Sequence, residues 1–168
     1  MELILVRHGK AGERSEEQDD STRALTADGR KKLLKTLPAL CGLIRDPGKV
    51  QIWSSPLTRA AQTADIMAGL LGQQLIICHD FIADGDYEAL LAALAEVKSG
   101  ETIMIFGHEP TLGLWSQAIS GQHLLFKKGA AAGFTIEALD PVAADLLWFM
   151  QPPAMQRLHE TAKQEKHR

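Results

Sequence analysis

Hydrophobic and polar positions follow two alternating patterns along this chain, and together they predict strands separated by helices. Short apolar runs, typical of buried strands, lie at residues 2–6, 50–53, 75–78 and 102–106. The segments between them carry apolar residues at helical spacing. Two later strand-like runs, residues 133–139 and 146–150, predict a hairpin at the edge of the sheet.

Capping residues and prolines define the predicted ends of the helices. Thr26 is a predicted N-cap, and Pro38 should kink or split the helix that follows it. Ser55 followed by Pro56 predicts the start of the next helix, because proline is favoured at the first helical position. Gly72 is expected to close that helix.

The order of these elements predicts a single α/β domain. Strands separated by helix-length segments favour a mainly parallel central sheet with helices on both faces, a three-layer α/β/α architecture. Residues 1–151 are assigned to this domain, because Pro152 and Pro153 are expected to stop regular structure. Residues 152–168 are predicted to be a polar C-terminal tail, either a loosely packed helix or disordered.

Charged and titratable side chains follow three of the predicted strands. Arg7 and His8 come directly after the first strand. Arg59 lies in the first turn of the helix after the second strand, and His108 follows the fourth. Because the carboxyl ends of parallel strands meet at one sheet edge, these side chains are expected to converge into an anion pocket. The two guanidinium groups should lower the pKa of His8 there.

The composition argues against several classes of function. The net charge is −3, whereas nucleic-acid-binding domains are usually basic. No run of about 18 apolar residues is present, so no membrane span is expected. The chain enters its first strand without the pattern of a secretory leader, and two cysteines are too few for a disulfide framework. The expectation is a cytoplasmic protein without nucleic-acid or membrane partners.

Three motifs of this chain resemble the histidine phosphatase superfamily. They are Arg7-His8-Gly9, the run Ser-Pro-Leu-Thr-Arg-Ala-Ala-Gln-Thr-Ala at residues 55–64, and Gly107-His108-Glu109-Pro110. The small size of the chain, the segment Arg23-Ala24-Leu25-Thr26 with Gly29, and the third motif are similar to the SixA-type phosphohistidine phosphatase branch. The resemblance covers residues 1–150 and implies a phosphoglycerate-mutase-like fold.

The resemblance also implies roles for four phosphate-binding residues. His8 would be the nucleophile that takes the phosphoryl group and becomes a phosphohistidine. Arg7 and Arg59 would hold the phosphoryl oxygens, and His108 would contact the same group and stabilise its charge. Such a reaction depends on positioning and electrostatics, so no metal or cofactor is expected. The remaining histidines are interpreted as structural or surface residues: His79, His123, His159 and His167.

One position departs from the larger members of the superfamily, which carry an acid after the third strand to protonate the leaving oxygen. Ala83 stands there in this chain. The departure also resembles the SixA-type branch, and it fits a leaving group that needs little help, such as the protonated imidazole of phosphohistidine. Asp84 or Asp86 could serve as the general acid instead, or Asp84 is a turn residue before Gly85.

The leading functional hypothesis is a metal-independent phosphatase that works through a phosphohistidine intermediate, acting on a phosphohistidine protein or on a small phosphorylated substrate. A small-molecule phosphomonoester phosphatase is the alternative, and it would need a working acid at Asp84 or Asp86. A binding module that holds a phosphorylated ligand without turnover is a third hypothesis.

Two charged segments bear on possible partners. The acidic run from Glu13 to Asp20 is interpreted as a solvated, mobile loop that forms part of a charged rim with Arg23. The stretch from Leu124 to Lys128 is either a basic contact patch for an acidic partner or a loop edge with solvated lysines.

Overall fold

The computed structural model describes residues 1–73 and 75–166, and it consists of one sheet covered by helices. The strands are β1 (Glu2–Arg7), β2 (Val50–Ser54), β3 (Ile76–Cys78), β4 (Thr102–Gly107), β5 (Ala131–Leu139) and β6 (Val142–Met150). The helices are α1 (Ala27–Thr36), α2 (Pro38–Cys41), α3 (Thr58–Leu71), α4 (Asp80–Asp84), α5 (Tyr87–Ala95), α6 (Thr111–Ser120) and α7 (Pro152–Lys166). His167, predicted to be a surface residue, lies outside the described residues.

The six strands form one sheet in the order β3-β2-β4-β1-β5-β6. The pairs β2/β3, β2/β4 and β1/β4 are parallel, whereas β5 pairs antiparallel with β1 and with β6. The prediction of a mainly parallel sheet with an edge hairpin is therefore confirmed. In this register Arg7 lies beside Gly107, and Ser54 lies beside Phe106, so the carboxyl ends of β1, β2 and β4 are level with one another.

The sheet separates two apolar cores, which confirms the three-layer architecture. Side chains alternate along β1: Ile4 and Val6 belong to one core, and Leu3 and Leu5 to the other. Buried residues of α1, α2, α3 and α7 complete the first core, and those of α4, α5 and α6 complete the second. Both faces of the central strands are thus fully buried, as expected where helices cover a parallel sheet.

Most of the predicted helix ends are confirmed. The hydroxyl of Thr26 accepts a hydrogen bond from the Gly29 amide (2.9 Å), so Thr26 caps α1. Pro38 begins the separate short helix α2, which confirms that it splits the predicted helix. Gly72 ends α3 with a φ of 67°, in the left-handed region that favours glycine.

The predicted start of α3 is wrong by two residues. The helix begins at Thr58 rather than at Pro56, and Leu57 occupies the N-cap position without a side-chain hydrogen bond. The hydroxyl of Ser55 instead accepts from the Leu57 amide (3.2 Å), inside a short loop that precedes the helix. This loop brings Ser55 into contact with a side chain at the end of β4, as described below.

The expectation that Pro152 and Pro153 stop regular structure is also wrong. They form the first turn of α7, where a missing N–H group costs nothing because the first helical amides have no intrahelical acceptor. Met155 of α7 is fully buried in the core that α1 and α2 share. The tail is a packed helix as far as Lys166, and the division of the chain at residue 151 stays a prediction.

None of the helices within the described residues is both long and apolar enough to span a bilayer.

Candidate active site

The carboxyl ends of β1 and β4 and the first turn of α3 bring the predicted site residues together. The Nε of Arg59 lies 3.3 Å from Nε2 of His8. The ring centroids of His8 and His108 are 5.2 Å apart. The charge of Arg7 is near enough to influence the pKa of both histidines. The expected convergence of these four side chains is therefore confirmed, although their roles in a reaction stay predictions.

Hydrogen bonding fixes which nitrogen of His8 is available. Nδ1 of His8 lies 2.7 Å from the carbonyl oxygen of Gly9. A carbonyl oxygen can only accept, so Nδ1 must carry the ring proton in the neutral imidazole. Nε2 then keeps its lone pair, and it accepts a hydrogen bond from Nε of Arg59. His8 thus presents an unprotonated nitrogen beside a guanidinium group.

Both histidines are neutral at physiological pH and stay neutral well below it. Burial, together with smaller effects of the neighbouring His108, Arg59 and Arg7, lowers the pKa of His8 to about 3. Burial likewise lowers the pKa of His108 to about 4, again with contributions from Arg59 and Arg7. The predicted effect of the two guanidinium groups on His8 is confirmed in direction, but removal from water is the larger cause.

His108 is anchored through the opposite nitrogen. Its Nε2 lies 2.7 Å from the hydroxyl of Ser55, which also accepts from the Leu57 amide. That hydroxyl has no other acceptor for its proton within the described ranges, so we assign the proton to a hydrogen bond with Nε2, which places the ring proton of neutral His108 on Nδ1. Among the described residues that buried Nδ1 has no hydrogen-bond partner. Sequence reasoning missed this contact, because it interpreted Ser55 only as a helix cap.

Arg59 is held from its far side by Asp20. Its Nη1 donates to the backbone oxygen of Asp20 (2.9 Å), and its Nη2 donates to a carboxylate oxygen of the same residue (3.1 Å). The other carboxylate oxygen accepts from Nε of Arg14 and Nε of Arg23. Hydrogen bonds from Arg14 and Arg23 and the charge of Arg59 hold the pKa of Asp20 well below its usual range.

The interpretation of residues 13–20 as a solvated loop is therefore wrong at Asp20. The carboxylate connects this segment to the site through a short 3₁₀ turn, Asp20–Thr22. The available signal was Arg23, which stands three residues after Asp20, the spacing at which oppositely charged side chains meet on a helical turn. No local pattern pointed to Arg59, which is 39 residues away in sequence.

A polar face of α3 holds the segment after β1 in place. The hydroxyl of Thr63 accepts from the Gly9 amide (3.1 Å) and donates to the carbonyl of Arg59 (2.7 Å). The side-chain oxygen of Gln62 accepts from the Leu25 amide (2.8 Å). Polar residues at positions i, i+3 and i+4 of an otherwise apolar helix face were the sequence signal for this role.

Arg7 is fixed at one end and open at the other. Its Nη1 donates to the carbonyl of Phe126 (2.7 Å), which positions the guanidinium group. Its buried Nε has no partner among the described residues. Arg7 is half-buried and also lines an open cavity outside the pocket. The remaining N–H groups are of the kind that bind phosphoryl oxygens in pairs.

Asp84, one of the two candidate general acids, lies in a helix that the sequence did not predict, and Asp86 lies just after it. Ala83 and the exposed Asp84 lie in α4, so Asp84 is not a simple turn residue. The carboxylate of Asp86 accepts from the Ala89 amide (3.0 Å) and caps α5. This contact stabilises the start of α5 by giving one of its free amide groups an acceptor.

The other histidines lie away from this cluster. The ring of His79 stacks on Phe81 at 4.6 Å and meets Trp53 edge-on at 4.7 Å, contacts of the kind expected for the predicted structural role. His123 is exposed, and His159 is half-buried on α7. Over residues 1–73 and 75–166, no group of three or more His, Cys, Asp or Glu side chains is arranged to hold a metal ion.

Comparison of the sequence with known families identifies one match. The model of the histidine phosphatase superfamily (branch 1) matches residues 3–98, more than half of the chain. An uncharacterized protein of Picosynechococcus sp. is 36% identical over 142 residues, which cover 79% of this chain and 84% of that protein.

Solved structures with the same fold include two phosphatases. The protein histidine phosphatase SixA, complexed with tungstate, superposes with a TM-score of 0.78 at 21% identity, over 92% of this chain and 99% of SixA. The mycobacterial glucosyl-3-phosphoglycerate phosphatase, complexed with inorganic phosphate, superposes with a TM-score of 0.68 at 15% identity, over 90% of this chain and 98% of that enzyme. Both likenesses establish the phosphoglycerate-mutase-like fold.

Proposed function

Because this chain belongs to branch 1 of the histidine phosphatase superfamily, we propose that it hydrolyses phosphohistidine on a protein through a transient phosphohistidine at its own His8. The membership confirms the predicted family and makes the chain a phosphatase. The observation that carries the rest is the orientation of His8. Its Nδ1 proton is tied to the Gly9 carbonyl, and its unprotonated Nε2 accepts a hydrogen bond from Nε of Arg59, which a bound phosphoryl group would replace.

The first step is a transfer between two nitrogen atoms. The lone pair on Nε2 of His8 attacks the phosphorus, and the bond between phosphorus and the substrate imidazole breaks. Its electron pair stays with the substrate ring, which leaves as neutral imidazole because its other nitrogen is already protonated. The phosphorylated His8 ring is cationic, and the Gly9 carbonyl accepts from its Nδ1–H.

The second step returns the enzyme to its starting state. Water attacks the phosphorus, the bond to Nε2 breaks, and its electron pair returns to His8. The oxygen of water stays on the released phosphate, and the displaced proton passes to that phosphate or to solvent. Arg7 and Arg59 bind the equatorial oxygens in both steps, and Nδ1–H of His108 donates to one of them. Fixed donors of this type lower the barrier because the developing charge meets preorganised partners.

The positions of the two candidate general acids, Asp84 and Asp86, favour nitrogen over oxygen as the leaving atom. An alkoxide leaving group needs an acid to protonate it, whereas a protonated phosphoimidazole does not. Asp86 is engaged as the cap of α5, Asp84 is exposed, and Ala83 stands where larger family members carry the acid. The match of fold to SixA, described as a protein histidine phosphatase, supports the same choice of substrate. We place the reaction in the cytoplasm.

A phosphomonoester substrate is the second candidate. It is favoured by the likeness in fold to an enzyme that acts on glucosyl-3-phosphoglycerate. On this alternative Asp84 protonates the leaving oxygen, so replacing it should slow ester hydrolysis strongly. On our proposal Asp84→Asn leaves hydrolysis of phosphohistidine within about twofold of wild type, since surface substitutions have small effects.

The test compares one protein substrate with one ester. A peptide with a single phosphohistidine and glucose 6-phosphate are each incubated with wild-type enzyme and with Asp84→Asn, and phosphate release gives kcat/KM. We expect the peptide to be preferred by at least about 100-fold, a difference of about 2.7 kcal/mol in transition-state binding. Preference for the ester, together with its loss in Asp84→Asn, would contradict the proposal and establish the alternative.

A further inference from the structure

A second concave surface opens directly beside the phosphoryl pocket. It has a volume of about 610 Å³, within the range of ligand-binding cavities, and Arg7 and Gly9 belong both to its wall and to the segment that carries His8. We call it the lysine groove, and its other lining residues are Lys10, Gly29, Lys32, Leu33, Thr36, Lys127, Lys128, Gly129, Pro152, Pro153 and Gln156. A substrate bound at His8 therefore extends naturally into this groove.

The charge on the rim of the groove has one sign. Lys10, Lys32, Lys127 and Lys128 are all exposed there, and no lining residue within the described ranges carries a carboxylate. Asp28, just outside the lining, lies 3.2 Å from the ammonium group of Lys32 and 3.8 Å from that of Lys10. Even with Asp28 counted, the groove concentrates positive charge on a chain whose net charge is −3.

The floor of the groove is apolar and closely packed. Leu33, Pro152 and Pro153 are the apolar side chains of its lining. α1 approaches the end of β1 so closely that a Cβ on Gly29 would collide with the carbonyl of Lys10. The lysines thus stand above a rigid base, so a ligand meets a surface that is already shaped.

The backbone around the groove does not resemble a phosphate site. Phosphate sites at helix N-termini use free amide groups, but here the Gly29 amide already donates to Thr26, and Pro152 and Pro153 have no N–H. Both lysine and arginine bind phosphate, but a lysine ammonium group is a mobile point charge, whereas arginine offers a bidentate fork that fixes the position of one phosphate. The donors of this groove suit several dispersed carboxylates better than one compact dianion.

Building on the proposed function, we infer that the lysine groove docks an acidic segment of the substrate protein next to its phosphohistidine. Carboxylates of that segment pair with Lys32, Lys127 and Lys128, and its apolar side chains rest on the floor around Leu33. The stretch from Leu124 to Lys128 is a loop with exposed lysines, and Lys127 and Lys128 line the groove, which is the position that a contact patch requires. Its position is secured by Gln151, whose side chain accepts from the Lys127 amide and donates to the Leu125 carbonyl.

The experiment measures selectivity among three synthetic peptides, each with one phosphohistidine flanked by aspartate and glutamate, by serine and glutamine, or by lysine. For each enzyme, kcat/KM is divided by its turnover of phosphoramidate, which corrects for the folded fraction. At about 20 mM salt we expect wild type to prefer the acidic over the neutral peptide about tenfold, the sum of three exposed charge pairs. At about 300 mM salt the preference should shrink to about threefold or less.

Two variants of equal charge locate the effect. Lys32→Gln/Lys127→Gln/Lys128→Gln should treat the acidic and neutral peptides alike to within about twofold. Lys98→Gln/Lys163→Gln/Lys166→Gln removes three exposed lysines elsewhere and should keep the tenfold preference. If both variants lose the preference for the acidic peptide equally, the preference depends only on net charge, and the inference is wrong.

Two further outcomes separate this inference from the proposed function. If wild type hydrolyses all three peptides equally, the function stands and the groove has no role in substrate choice. If it hydrolyses phosphoramidate but none of the peptides, both proposals fall. Two sugar phosphates test a different occupant of the groove. If wild type prefers fructose 1,6-bisphosphate over fructose 6-phosphate by at least tenfold and the groove variant loses this preference, the groove binds the second phosphate of small bisphosphate substrates instead.

Discussion

His8 and His108 occupy corresponding places at the ends of two adjacent parallel strands, yet they are held in opposite ways. His8 is tied through Nδ1 to a backbone carbonyl, which fixes its proton and leaves Nε2 unprotonated, with Nε of Arg59 donating to it. His108 is tied through Nε2 to the Ser55 hydroxyl, which leaves Nδ1 as the free nitrogen. On the proposed function the anchor decides the role of each ring: His8 offers a lone pair, and His108 offers a proton.

The largest expected effect is a loss of kcat in variants of the two histidines. Only the His8 variant should also fail to form the phosphoenzyme. His8→Asn should lower kcat by at least about 10⁴-fold and form no phosphoenzyme, because it removes the nucleophile. His108→Asn should lower kcat by about 10² to 10³-fold, as loss of one charge-stabilising donor does, while the phosphoenzyme still forms. Rapid-quench measurement of both variants on phosphoramidate checks this difference. Equal defects with no phosphoenzyme in either would show that the two rings act as one unit.

The low pKa values predict a pH-dependent stability to which both histidines contribute. In the unfolded chain they titrate near about 6.5, whereas the folded protein excludes these protons down to about 3 for His8 and about 4 for His108. Protonation thus favours the unfolded chain, and the free energy of unfolding falls as the pH drops below about 6.5. Between pH 7 and pH 5 each histidine should cost about 2 kcal/mol.

Urea titration at pH 7 and pH 5 measures this loss. His8→Asn should remove about half of the pH-dependent difference contributed by the pair, whereas replacing the exposed His123 with Asn should leave it nearly unchanged. Equal unfolding free energies at the two pH values in wild type would show that the rings are not held neutral.

Asp20 is expected to affect His8 indirectly, because it positions Arg59, which donates to Nε2 of His8. Asp20→Ala removes the carboxylate that accepts from Nη2 of Arg59 but keeps the backbone oxygen that accepts from Nη1, and we expect kcat to fall about 30-fold, typical of a lost charged hydrogen bond. The control is Glu17→Gln on the same acidic segment, which should change kcat by less than twofold. Steady-state kinetics on phosphoramidate give kcat for both variants. If both lower kcat to a similar extent, the segment is a solvated loop in which Asp20 has no special role.

Ser55 is expected to affect His108, and its replacement should give the smallest change in kcat. Ser55→Ala frees the Nε2 of His108, so its ring and tautomer are no longer fixed, and kcat should fall about tenfold. Ser54→Ala is the matched control, since this neighbouring buried serine donates only to a backbone carbonyl. Ser55→Thr keeps the hydroxyl and should recover most of the activity. If Ser54→Ala is as damaging as Ser55→Ala, the anchor has no special role.

The sequence predicted well what local chemistry controls. The strand ends that carry Arg7, His8 and His108 follow from apolar runs that stop abruptly, and the parallel order of the sheet brings them together. The cap at Thr26 and the break at Pro38 also follow from neighbouring residues alone.

The failures have a common physical cause, which is contact between residues far apart in the chain. Ser55 gives its hydroxyl to His108, 53 residues away, so it does not cap the helix next to it. Asp20 belongs to a run that is charged and largely exposed, and only the fold brings Arg59 to it. The prolines that open α7 look like helix breakers until burial of Met155 shows where the helix packs.

Locating the transferred phosphate tests the central claim most directly. Wild-type protein is mixed with phosphoramidate in the presence of chelator, quenched rapidly under alkaline conditions, and digested for mass spectrometry. The account predicts phosphate on the peptide that contains His8, on Nε2 of that ring, and none after the same treatment of His8→Asn. Phosphate on His108, or turnover by His8→Asn at the wild-type rate, would contradict it.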